Sequence, residues 1–195
     1  LETLVEQLIA QTLLDWIAVV AGLVYVWLAA RDNNWCWLFA GISTAAWAYQ
    51  SFFVYSLVSD ALLQVFYFIM AGVGLWRWRR AETPGAVASI SNMTLTEHLL
   101  VVGGSVLGGI ALGYGFSQVL TAAATYPDAI TTVGSVLATF LLIGRRLENW
   151  LYWVVIDLAY VWIYLGQGAL LFAVLMGIYT IMAIYGYLNW SKEMR

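Results

Sequence analysis

The chain has 195 residues, 63% of them hydrophobic and only 10% charged, with 11 Trp, 12 Tyr and a net charge of −3. A soluble domain carries about 25% charged residues, so this composition reads as one integral membrane domain, with too little polar sequence for a separate soluble one. The negative balance excludes a nucleic-acid surface; the single Cys36 excludes a disulfide within the chain, and the lone His98 excludes a bis-histidine haem or a His-rich metal site.

The opening stretch, LETLVEQLIAQ, is acidic and has no basic n-region, so it is not expected to act as a signal peptide. Seven apolar segments follow, at about Leu13–Ala30, Trp35–Phe52, Val58–Trp78, Glu97–Val119, Ala129–Gly144, Asn149–Gly166 and Ala169–Asn189. Each is near or within the length a helix needs to cross a bilayer. Polar, charged or Gly/Pro-marked breaks separate them, at Arg31–Asn34, Tyr55–Ser59, Arg79–Ser91, Thr125–Asp128, Arg145–Glu148 and Gly166–Gly168. Only Arg79–Thr96 has any length, and its Thr83, Pro84, Gly85 and Ser-rich remainder read as a flexible connector.

The basic residues predict an orientation. Arg31 falls between segments 1 and 2; Arg77, Arg79 and Arg80 between 3 and 4; Arg145 and Arg146 between 5 and 6; Lys192 and Arg195 after 7. All eight therefore face one side. By the positive-inside rule the N-terminus is outside and the C-terminus cytoplasmic.

The chain also repeats itself. Arg31-Asp-Asn-Asn-Trp35 matches Arg146-Leu-Glu-Asn-Trp150 at an offset of 115, where Trp47 also meets Trp162 and Tyr49 meets Tyr164. After a small gap, Tyr67, Met70, Ala71, Gly74 and Trp78 meet Tyr179, Met182, Ala183, Gly186 and Trp190. The expected architecture is all-α: seven transmembrane helices, in which a three-helix repeat at about 13–78 and another at about 129–190 are joined by a linker helix at about 97–119. One linker helix restores the sidedness that three helices reverse, so the repeats run parallel, with a substrate site expected near the midplane at their interface. The linker carries Gly104-xxx-Gly108 and Gly109-xxx-Gly113, a spacing that lets helices approach closely.

The segment ENWLYWVVIDLAYVWIY, from Glu148 to Tyr164, holds an acid at its middle. Trp150, Trp153, Asp157, Tyr160 and Tyr164 share one helical face. A carboxylate at that depth costs roughly 2.5–3.5 kcal/mol on insertion scales. Set among indoles and phenols, it suggests a site for a flat, cationic ring. The competing readings are an acid that locks helix packing and, for Trp150 and Trp153, an aromatic belt at the interface; ring stacking is assigned to Trp153, a turn deeper than Trp150. Gln64, two turns into segment 3, needs a partner in such a run, either substrate or a neighbouring helix. Asn34 and Asn149 recur at matching repeat positions, where helix capping is the simpler role. No phosphate loop, no lysine in the last helix and no Ser/His/Asp set is present, so an enzyme is not expected, nor a cofactor.

At Asn34-Trp-Cys-Trp37, Asp60-Ala-Leu-Leu-Gln-Val-Phe-Tyr67, Glu148-Asn-Trp-Leu-Tyr-Trp153 continuing to Asp157, and Tyr185-Gly-Tyr-Leu-Asn-Trp190, the chain resembles the PnuC family of vitamin transporters. The resemblance implies a 3+1+3 arrangement related to sugar-efflux SWEET proteins, in the inner membrane of a bacterium. It also implies facilitated diffusion of nicotinamide riboside or, in close relatives, thiamine, trapped by phosphorylation inside the cell, and several chains associating as a homo-oligomer. Trp150, Trp153 and Asp157 would form the substrate-binding motif, joined by Gln64 and, as further candidates, Tyr160, Tyr67, Asn149 and Asn34. Asp157 stands where some nicotinamide riboside carriers have Asn, so the motif leaves the vitamin open. A membrane scaffold or subunit that transports nothing is the alternative of another class.

Overall fold

The computed structural model describes residues 2–54, 58–81, 89–118 and 125–194. It is all-α: α1 Glu2–Ile9, α2 Leu13–Ala29, α3 Cys36–Tyr49, α4 Val58–Ala81, α5 Leu95–Ser117, α6 Thr125–Ile143, α7 Asn149–Gly166 and α8 Leu170–Glu193. The seven apolar segments map onto α2 to α8, and α1 is a further short helix. Among the described residues four helices are long and apolar enough to cross a membrane: α4 over Asp60–Arg80, α5, α6 over Tyr126–Ile143, and α8. The helix α2 is apolar but shorter.

Side chains are sorted inside out. Asp15, Gln50, Ser51, Thr131, Ser135, Thr139, Asn149 and Asp157 are buried. Exposed positions along α4, α5 and α8 carry Leu62, Phe68, Ile69, Leu99, Leu107, Val174, Ile181 and Leu188. Water would penalise both choices, whereas a hydrocarbon solvent favours them.

One expected break and one expected helix start lie elsewhere. The turn read at Thr125–Asp128 is the first turn of α6. Pro127 fits there because the first N–H groups of a helix have no intrahelical acceptor to lose. The helix α5 begins at Leu95 behind a capping box, in which the Thr94 side chain accepts from the Glu97 N–H and the Glu97 carboxylate accepts the Thr94 N–H at 2.7 Å.

The chain divides into two compact units, Leu1–Ser89 and Ile90–Arg195. In the first, α3 packs on both α2 and α4. In the second, α5 lies along α6, and α7 packs on both α6 and α8. The glycines of α5 serve the α5–α6 contact: a Cβ on Gly109 would sit 2.5 Å from the Ile130 Cα, and one on Gly113 2.7 Å from the Tyr126 ring.

One packing device recurs in both units. In the first, the Trp37 ring occupies the space over Gly74, where a Cβ would come within 2.5 Å of it, and meets Trp78 edge-on at 5.2 Å. In the second, Trp150 lies over Gly186, with 2.6 Å left for a Cβ, and meets Trp190 edge-on at 5.4 Å. The preceding turns also match. Asp32 and Arg145 both have positive φ, 48° and 52°, and Cys36 N–H to Asn33 C=O is mirrored by Asn149 N–H to Arg146 C=O. These contacts pair Trp37, not Trp35, with Trp150, correcting the offset read in the turn. Trp35 is 60% exposed, whereas Trp37 and Trp150 are 3% and 2% exposed. The similar letters around Trp35 conceal a two-residue difference in turn position.

The connector between α4 and α5 is not loose throughout. Thr83, Pro84 and Gly85 lie outside the described residues. Beyond them, the Ser91 N–H donates to the Arg145 carbonyl at 3.1 Å and the Ser91 carbonyl accepts from Leu147 at 2.9 Å, a short parallel pairing. The Met93 N–H donates to the Glu148 carboxylate at 2.8 Å. Arg146 ties the same stretch down, donating to Ser91 Oγ at 2.8 Å and to Glu97 at 2.6 Å.

Candidate functional site

The helix α7 spans Asn149–Gly166, as the apolar run predicts, and is the central helix of its unit. Its position forces polar groups on α7 to be buried or satisfied by neighbours. Asp157 is 5% exposed, and among the described residues it has no hydrogen bond or ion pair. Tyr179 of α8 lies within electrostatic reach of it. Leaving a buried carboxylate without a donor is costly, so such a group needs a reason other than packing.

The face predicted to be shared divides between two neighbours. Tyr160 stands beside Thr131, Thr132 and Ser135 of α6 and stacks on Tyr164 at 5.8 Å. Trp153 is half-buried, with no hydrogen bond or ring contact among the described residues. Trp150 turns instead toward α8, where it fills the notch at Gly186, and its buried indole N–H meets no acceptor among the described residues. Asp157 and Tyr160 therefore face the interior polar groups of α6 and α8, Trp153 is uncommitted, and Trp150 is enclosed by packing.

The asparagines do not cap. Asn149 is the first residue of α7, is fully buried and donates back to the Arg146 carbonyl at 2.6 Å. Neither α3 nor α7 has a side-chain N-cap. At the start of α3 it is Asn33 that acts, its Oδ1 accepting from the Trp35 N–H at 2.9 Å. Asn34 is half-buried beside it. A hydrogen-bonded turn precedes each helix in place of a side-chain cap.

In the first unit, Gln64 is half-buried on α4 with no hydrogen-bond partner among the described residues. Tyr67, a turn later, packs its ring on Phe66 at 5.4 Å. Asp60 accepts a short hydrogen bond from the buried Ser51 hydroxyl. Gln50 is a structural residue: its amide donates to Asp15 at 2.8 Å and to Thr12 at 2.7 Å.

Sequence reasoning missed the hydroxyl stripe of α6. Thr131, Ser135 and Thr139 are buried, and each hydroxyl donates to a carbonyl of its own helix four residues back. The signal was a period of four among small hydroxyl residues in an otherwise apolar run. The Nδ1 of His98 lies 2.8 Å from the Tyr152 hydroxyl.

The chain as a whole is similar to known proteins. A profile described as "Nicotinamide mononucleotide transporter" matches residues 12–192. The nicotinamide riboside transporter PnuC of Neisseria mucosa is 28% identical over 188 residues, covering 90% of this chain and 71% of the relative. The protein of the same name from Escherichia coli K12 is 26% identical over 210 residues, with 93% and 87% covered. A crystal structure of the vitamin B3 transporter PnuC superposes with a TM-score of 0.74 at 26% identity, covering 98% of this chain and 88% of that one.

Proposed function

The chain belongs to the nicotinamide mononucleotide transporter family, and on that premise we propose that it carries nicotinamide riboside across the membrane by facilitated diffusion, with Asp157 as the central polar contact. It is a membrane transporter and not an enzyme. The observation that carries the assignment is the burial of Asp157 at 5% exposure without a hydrogen bond or ion pair among the described residues. A pyridinium ring with a ribose supplies what the acid lacks: positive charge close by and hydroxyl donors. The uncommitted Trp153 indole offers a face for the ring, and Tyr160 a hydroxyl. Gln64, Tyr67, Asn149 and Asn34 are proposed as further polar contacts at some stage of the cargo's passage, while Trp150 supports α7 from behind.

We further infer seven spans in a 3+1+3 order, α2 to α8, within a bacterial cytoplasmic membrane. The π-helical turn Gln50–Val54 lengthens α3, so that Cys36–Val54 reaches about 28 Å at 1.5 Å per residue. An external N-terminus and cytoplasmic C-terminus follow from the basic residues. Association of several copies, each with its own path, belongs to the same reading, and light scattering of the purified protein tests it.

The deciding experiment is a tryptophan-quench titration of the purified chain with nicotinamide riboside and thiamine in parallel. Nicotinamide riboside is expected to quench, and Trp153→Ala and Asp157→Ala to abolish the response. A preference for thiamine reassigns the cargo within the family. In liposomes the chain is expected to equilibrate its cargo across an imposed pH gradient. Accumulation above equilibrium refutes passive transport, and no flux at all returns the scaffold reading.

A further inference from the structure

On the premise that the cargo binds beside Asp157, we propose that Thr131 and Ser135 of α6 are positioning residues for cargo selectivity. They draw the Tyr160 proton toward α6, so that the phenol oxygen meets the cargo as an acceptor and selects a sugar hydroxyl that donates to it. Tyr160 is half-buried on α7, one turn beyond the buried Asp157. Its hydroxyl has the side chains of Thr131, Thr132 and Ser135 as hydrogen-bonding neighbours.

The direction of the bonding follows from the number of protons present. A serine or threonine hydroxyl has one proton to give and lone pairs with which to receive. Thr131 Oγ1 gives its proton to the Asp128 carbonyl at 2.9 Å and the Pro127 carbonyl at 3.0 Å, and Ser135 Oγ gives its own to the Thr131 carbonyl at 2.8 Å. Both side chains are buried, away from any exchange with water. Neither has a second proton for a neighbour, so toward Tyr160 each acts as an acceptor. The phenol therefore donates to α6, and its oxygen is left to accept.

The ring itself is restrained by its stack on Tyr164, at 5.8 Å with the planes 20° apart. This part of α7 thus presents acceptors twice, in the Asp157 carboxylate and one turn later in the Tyr160 oxygen. A cargo with hydroxyl donors at both places satisfies them. One with a bare carbon opposite Tyr160 leaves a desolvated oxygen unpaired, which is how a polar site rejects an analogue that lacks a hydroxyl.

The test measures binding of nicotinamide riboside and of its 2′-, 3′- and 5′-deoxy analogues to the purified full chain by tryptophan quenching. Tyr160→Phe is expected to erase the penalty that the parent sets on one analogue, about three- to tenfold for a single neutral hydrogen bond, and to leave the other penalties in place. Thr131→Val combined with Ser135→Ala is expected to shrink that same penalty, because Tyr160 can then turn its proton toward the cargo. The pair is expected to change nothing further once Tyr160 is replaced by Phe. Ser135→Thr retains the hydroxyl and is expected to keep the parent's penalty. Thr139→Val is the control: Thr139 lies on the same stripe, bonded to the Ser135 carbonyl, and is not among the neighbours of Tyr160. Melting without ligand verifies that each variant folds, and Ser135→Ala alone replaces the combined variant if that one does not. Unchanged penalties in Tyr160→Phe, or an effect of the α6 substitutions that persists without the Tyr160 hydroxyl, overturns the proposal and leaves the site at Asp157 standing. A parent chain that does not bind nicotinamide riboside overturns both.

Discussion

The Trp150 indole lies where any side chain on Gly186 would have to be: an added Cβ falls 2.6 Å from Cδ2 of the ring. This one contact locks α7 to α8 and sets the rotation of α7, hence the direction in which Asp157 points. Gly186→Leu is expected to destabilise the protein by about 1–3 kcal/mol through overpacking. Gly177→Ala, on the same helix with nothing within 4 Å of its Cβ, is expected to be neutral or to stabilise by up to about 1 kcal/mol. Thermal melts of the two variants side by side check the contrast, and equal effects would show that the notch is not used.

Asp157 separates function from stability. Asp157→Ala and Asp157→Asn are both expected to leave the unfolding midpoint unchanged or raised, because a buried carboxylate without a partner is a cost to the fold. Both are expected to lose cargo binding. Asp157→Asn keeps a hydrogen-bond acceptor and removes the charge, so a tenfold or larger drop in affinity there assigns the loss to charge, on the scale of bonds to charged groups, roughly 1.5–3 kcal/mol. Binding by both variants at the parent's affinity would show that the acid does not meet the cargo.

The Gln50–Asp15 pair makes the opposite prediction. Gln50 and Asp15 are 2% and 1% exposed and joined at 2.8 Å. Gln50→Ala removes a donor from a buried carboxylate and is expected to cost about 1–3 kcal/mol, with cargo affinity in the folded protein unaffected. Chemical denaturation with a parallel binding titration tests this; lost affinity at unchanged stability would make Gln50 a site residue.

The clasp made by Arg146 is checked by hydrogen exchange. With Arg146→Ala, the Ser91 and Leu147 amides, which hydrogen-bond to the Arg145 and Ser91 carbonyls at 3.1 and 2.9 Å, are expected to exchange faster, while those in the middle of α8 keep the parent's rate. Unchanged exchange at Ser91 would mean that the backbone pairing and the Met93–Glu148 bond hold the segment without the guanidinium.

Much of this molecule is legible in its letters because a bilayer leaves a chain few options. Apolar runs of sufficient length become helices, since every backbone group must be satisfied within the run. The acid inside Glu148–Tyr164 stands out for the same reason. The α7 boundaries read from the sequence agree with the structure, because Asn149 follows a charged turn and the helix ends at Gly166. Boundaries set by local hydrogen bonds were harder to see: Pro127 marks a helix start as readily as a break, and Thr94 with Glu97 extends α5 past the apolar stretch.

Composition, the order of the apolar runs and their repetition thus determined the class of protein and the buried acid, because those depend on hydrophobicity summed along the chain. Tertiary structure alone decided that Trp150 fills the notch at Gly186 while Trp153 is half-buried without a ring contact among the described residues, that Gln50 belongs to Asp15, that Thr131 and Ser135 lie beside Tyr160, and that Trp37 is the counterpart of Trp150. Helical periodicity says which residues share a face. Which neighbour that face meets depends on helix rotation, and helix rotation is set by contacts between residues far apart in sequence, such as Trp150 over Gly186.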